Sequence, residues 1–80
     1  MDPNDLVLAE VVKDAINAAG ITQKEVWKHV GIAETTWERR IAGAKSFTMS
    51  ELFRISEMVG VPSSELVAKV EGSIKAQVVS

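Results

Sequence analysis

Between Ala33 and Phe47 the chain reads AETTWERRIAGAKSF, which sets Thr35 and Thr36 before a tryptophan and two adjacent arginines, Arg39 and Arg40, after it. A guanidinium can grip a phosphate, or the O6 and N7 of guanine, through two parallel hydrogen bonds, and a threonine can meet a base edge or a thymine methyl. On a helical wheel advancing about 100° per residue, Trp37 and Ile41 fall on one face and Thr35 and Arg39 nearly opposite. Thr36 and Glu38 lie on the flanks of that polar face. The apolar pair is expected to point into a core, leaving a short polar face of a kind that enters a DNA major groove. Taken alone the same residues describe an ordinary solvated helix, with Glu38 and the arginines as surface charge. Their weight comes from the elements around them.

Those elements are well punctuated. In DPND, Asp2 is expected to cap a first helix, with Pro3 at its first position and Asp5 three residues after the cap. Leu8, Val11, Val12, Ala15, Ile16 and Ala19 recur at helical spacing before Gly20 stops the run. TQKE offers Thr22 and Glu25 as a capping box for a second helix from Gln23 to His29 or Val30, closed by Gly31. Only Gly31, Ile32 and Ala33 then precede a third helix from Glu34 to Ile41. Short helix, glycine turn, short helix is the outline of a helix-turn-helix. TMSE repeats the capping box with Thr48 and Glu51 and opens a fourth helix, in which Met49, Leu52, Ile55, Ser56 and Val59 form one mostly apolar side before Gly60. Phe47, just ahead of that cap, is expected to act as a staple. After VP, Ser63 to Val70 reads as a fifth helix.

The fold class expected is therefore all-α, five short helices, with a possible C-terminal strand or extension. Residues 1–71 form the domain and 72–80 a tail. The tail, GSIKAQVVS, fits three descriptions: a strand alternating Ile74, Ala76 and Val78, a helical stripe of Leu66, Val70, Ile74 and Val78 interrupted by Gly72, or a frayed end. It is also the segment, together with Phe53, that could supply a dimer surface.

At 80 residues, 46% hydrophobic and 25% charged, the chain has the composition of one globular domain rather than of a disordered segment. It has no cysteine, so disulfides, thiolate metal sites and a cysteine nucleophile are excluded. The acidic start MDPNDLVLAE differs from a secretory signal, and no apolar run approaches the ~18 residues that span a bilayer, which suggests a cytoplasmic protein. The single histidine, His29, reads as a helix C-terminal cation or a solvated side chain, and no metal site or cofactor is expected. No serine–histidine pairing and no glycine-rich phosphate loop appears, so no enzyme is expected.

The net charge of −2 argues weakly against a nucleic-acid partner, but the charges are unevenly placed. From Ile21 to Arg54 six basic residues (Lys24, Lys28, Arg39, Arg40, Lys45, Arg54) meet four acidic ones (Glu25, Glu34, Glu38, Glu51), a local +2. The remainder, three basic and seven acidic, carries −4.

Three stretches, GITQKEV, VGIAETTWERRIAG and SFTMSELFRISEMVGVPSSELV, in this order and spacing, resemble the Cro/CI-type (XRE-like) helix-turn-helix DNA-binding family, most of all small phage Cro-type repressors. The resemblance covers Leu6 to Val67. It implies a lambda-repressor-like domain that binds a double-stranded DNA operator in sequence-specific fashion, represses transcription, and acts in a bacterial cytoplasm as a possible homodimer. By position it makes Glu34, Thr35, Thr36, Glu38 and Arg39 the base-reading side chains. It makes Gln23 a phosphate contact that also buttresses the reading helix, and puts Arg40, Lys45, Ser46 and Thr48, with nearby backbone N–H groups, on the DNA-backbone edge. The chain departs from the family pattern at Trp27, where a small residue is usual, at Ala33, where a polar cap is usual, and at Ile41, where glutamate is common. Two other readings compete. One is an antitoxin of the same fold that also binds a toxin. The other is a protein-interaction module in which Trp27, Phe53 and the tail dock a partner.

Overall fold

A computed structural model describes residues 3–79, with side chains from 4 to 74. The five expected helices are present: α1 Pro3–Ala19, α2 Gln23–Val30, α3 Glu34–Ile41, α4 Met49–Val59 and α5 Ser63–Val79. No strand occurs among the described residues. Asp2, the expected cap of α1, lies outside them.

Local chemistry explains most of the boundaries. In α2 and α4 both halves of the capping box form: Thr22 and Thr48 accept from the backbone N–H of Glu25 and Glu51, whose carboxylates accept from the two threonine N–H groups. Gly31 and Gly60 close these helices in the left-handed conformation, at φ 85° and 72°, where a side chain would be strained.

The last helix corrects the expected boundary at Val70 and the possible strand. It runs through Gly72, which, unlike the four other glycines, keeps a negative φ. The apolar stripe carries it onward: Leu66 is fully buried and Val70 and Ile74 are half-buried. The face drawn for α4 also needs one correction. Met49 is 57% exposed, because it sits about 120° round the wheel from the fully buried Ile55. Phe53 is 50% exposed.

The buried side chains form two clusters with α1 between them. Val12 and Ile16 join Val26, Val30, Trp37, Phe47, Leu52 and Ile55 on one side, while Val11 and Ala15 meet Leu66 on the other. Adjacent residues of one helix thus serve opposite cores, and Val59 of α4 touches both. Burial of each such aliphatic side chain stabilises by about 1.5–3 kcal/mol, so the larger cluster dominates the fold. Phe47 fulfils the staple expectation: it is buried in the same cluster as Leu52, four positions beyond the Thr48 cap, and meets the Trp37 ring edge-on at 5.7 Å and 65°.

Candidate nucleic-acid interface

The turn between α2 and α3 is held from both sides. Gly31 and Ile32 N–H groups donate to the Trp27 carbonyl at 3.0 and 3.3 Å, completing the end of α2. From α4, Arg54 Nη1 donates to the Val30 carbonyl at 2.8 Å. Ile32 and Trp27 pack, half-buried, against the main core. The bulky Trp27 is accommodated with its side chain against the core rather than standing free of it.

Helix α3 lacks a side-chain cap at Ala33, and its position comes instead from three tertiary contacts. Trp37 is 2% exposed, and its indole Nε1–H donates to Gln23 Oε1 at 2.9 Å. An indole nitrogen only donates, so the Gln23 oxygen must face it, which leaves the two amide hydrogens of Gln23 for another acceptor. Gln23 thus has the buttressing geometry expected of it.

The third contact is an ion pair that the sequence did not signal. Arg40 Nη2 donates to Glu51 Oε2 at 3.2 Å, and Arg40 Nε lies 3.0 Å from Glu51 Oε1 without the alignment of a hydrogen bond. The two side chains are 18% and 10% exposed, so neither charge could be left alone cheaply. Glu51 therefore completes the α4 cap and neutralises Arg40 at once, fastening the end of α3 to the start of α4.

The wheel reading of α3 is reproduced in the burial pattern. Glu34, Thr35, Glu38 and Arg39 are exposed, Thr36, Arg40 and Ile41 are half-buried, and Trp37 is inside. Beyond Ile41 the chain folds back onto the helix: Ala42, Gly43, Ala44 and Lys45 N–H groups donate to the carbonyls of Glu38, Arg40, Arg39 and Arg39. The amides of residues 42–45, among those expected to meet phosphates, thereby cap α3. Gly43 turns the loop at φ 81°, and a Cβ there would lie 3.1 Å from Leu6 Cα and still closer to the tip of that side chain. Only glycine fits this contact with α1.

The other two loop residues also make contacts within the fold. Ser46 Oγ donates its proton to the Asp5 carboxylate of α1, which ties the loop to the first helix. Thr48 has its hydroxyl oxygen in the α4 cap. Lys45, in contrast, lines a small pocket with Thr36, Arg39 and Arg40. Of the six basic residues between 21 and 54, Arg40 is neutralised and Arg54 caps α2, while Lys24, Lys28, Arg39 and Lys45 make no ion pair among the described residues.

His29 at the end of α2 lies 3.9 Å from Glu57 of α4, both well exposed, a contact of little energetic weight. Among the described residues no group of His, Asp and Glu is arranged to hold a metal, and no helix is long and apolar enough to cross a membrane. Comparison of the chain with protein-family models, curated proteins and solved structures finds no match.

Proposed function

We propose that this protein is a sequence-specific double-stranded DNA-binding repressor of the Cro type, which lays α3 in the major groove of an operator and blocks transcription by occupying it. The observation that carries the reading is α3 itself. Its inner face is locked through Trp37, while Glu34, Thr35, Glu38 and Arg39 are left outward on a helix of only eight residues. Such a strip matches the donors and acceptors of base edges, with carboxylates able to accept from cytosine N4. Gln23, on the neighbouring helix, keeps two amide hydrogens for a backbone phosphate. The reading contains no catalytic step and no cofactor. It implies a bacterial cytoplasmic site of action, and a two-fold dimer would read half-sites about one helical turn apart.

Selection from a random duplex pool at moderate salt, followed by sequencing, tests this. An enriched two-fold site means a dimeric reader, and a single enriched half-site a monomeric one. Without enrichment or low-salt retention, the protein-interaction reading replaces it. That second reading has its own support in Met49 and Phe53, one helical turn apart and 57% and 50% exposed. Co-purification of a toxin encoded beside the gene would point to the antitoxin variant.

A further inference from the structure

Thr36, Arg39 and Arg40 follow one another at i, i+3 and i+4 on α3, and the fold-back of the loop brings Lys45 to the same place, so that the four line a half-open pocket of about 210 Å³. Three features fit this pocket to a single phosphate group. First, its charge is directed. Glu51 cancels Arg40 but holds its guanidinium still, so that Nη1 has no partner among the described residues. Arg39 and Lys45 add two uncompensated positive charges. Second, its donors are all side chains, because the amides of residues 42–45 are occupied in closing α3. Two guanidinium groups, an ammonium and a hydroxyl suit a tetrahedral oxyanion that offers several acceptor oxygens. Third, two residues expected to read bases, Thr36 and Arg39, line this pocket with two expected to touch the backbone.

We propose that Thr36, Arg39, Arg40 and Lys45 form a seat for one phosphate group, and that Thr36 and Arg39 contact that phosphate rather than a base edge. Base reading then rests on Glu34, Thr35 and Glu38. Assigning the phosphate to a DNA strand rests on the DNA-binding reading above, whereas the affinity of the seat for a phosphate group does not. Glu51 is a positioning residue here, acting through Arg40.

The test is a heteronuclear NMR titration of the full chain with inorganic phosphate and, separately, dimethyl phosphate, against sodium chloride at matched ionic strength. Saturable shifts centred on Thr36, Arg39, Arg40 and Lys45, with binding at least about tenfold weaker in both Arg39→Gln and Lys45→Gln, support the seat. Shifts that never saturate, or that chloride reproduces, overturn it. Thermal unfolding of both variants separates lost binding from lost fold.

On duplex DNA, each of these substitutions should weaken selected and random sequences alike and lower the logarithmic salt slope by about 1. If Arg39→Gln instead relaxes preference at one base pair and leaves the slope unchanged, Arg39 reads a base and the proposal fails while the DNA reading stands. Saturable phosphate binding in a chain that retains no duplex gives the converse: the seat stands, the DNA reading falls, and preference for inorganic over dimethyl phosphate assigns the seat to a free phosphate or monoester.

Discussion

Helices α2 and α3 are each eight residues long and meet across one short turn, but different forces hold them. Helix α2 carries its own ends, with a reciprocal capping box at Thr22 and Glu25 and a left-handed glycine at Gly31. Helix α3 starts at Ala33 with no side-chain cap and ends at Ala42 in right-handed geometry. A helix this short is marginal in isolation, so α3 must be held by what it touches: Trp37 in the core, Gln23 on the indole and Glu51 on Arg40. The helix with the outward polar strip is thus the one with the least local encoding. Its face is free of capping duties, and its placement depends on the rest of the domain.

That comparison breaks first at Trp37. Trp37→Ala removes the centre of the larger core and should cost about 3–5 kcal/mol, most of the stability available to a domain of this size. Urea unfolding measures the loss, and hydrogen exchange should show α3 amides losing protection before those of α2.

Glu51→Ala comes next. It strands a largely buried guanidinium and removes the acceptor of the Thr48 N–H, an expected cost of about 2–3 kcal/mol, reduced from a fully buried pair because Arg40 keeps some contact with water. Adding Arg40→Met should recover part of this, since the stranded charge is then gone. A double-mutant cycle by chemical denaturation gives the coupling, and no recovery would mean that Glu51 acts through its cap alone.

Thr22→Ala probes the self-contained helix and should cost about 1 kcal/mol, the usual worth of a cap. Its effect on exchange should be confined to the first turn of α2 and leave α3 protection unchanged. Equal losses in both helices would show that the two share their stability, and the contrast drawn between them would fail.

This contrast also explains what could be read from sequence. The starts of α2 and α4, the ends at Gly31 and Gly60 and the inward face of Trp37 rest on residues within four positions of one another, and periodicity and capping report such spacings directly. The outward strip of the candidate site was legible for the same reason. The buttress from Gln23 was expected from the family resemblance, but the ties to α1 and α4 were not legible: Arg40 reaches Glu51 across 11 residues, Arg54 reaches Val30 across 24, and Ser46 reaches Asp5 across 41. Each depends on how helices sit against each other, and each turns a residue that looks free in the sequence into a partner. Only Glu51 gave any sign, as the acid of a capping box, and that sign accounts for half of its contacts. The sequence of the tail fits three descriptions, of which the helical stripe is the observed one, for a related reason. Gly72 reads as a stop because glycine weakens a helix, yet Leu66 and Val70 packing against α1, with Ile74 half-buried beyond them, outweigh that cost of about 1 kcal/mol.

The smallest predicted effect runs in the opposite direction. Ala33 already has the extended backbone of a capping residue, with φ −73° and ψ 154°, and its carbonyl accepts the first helical bond from Trp37. Only the side-chain acceptor is missing, so Ala33→Ser should let a hydroxyl meet the Thr36 N–H and stabilise the domain by about 0.5–1 kcal/mol. Serine is a better probe than aspartate, whose charge would add to that of Glu34 and, under the proposed DNA-binding role, confuse stability with DNA affinity. If α3 is held mainly by tertiary contacts, this gain should appear in thermal unfolding and, under the proposed DNA-binding role, leave duplex affinity nearly unchanged, because binding would then require no further ordering of the helix. A gain in affinity exceeding the gain in stability would show that α3 is ordered further on meeting DNA, and that Trp37, Gln23 and Glu51 do not by themselves set its position.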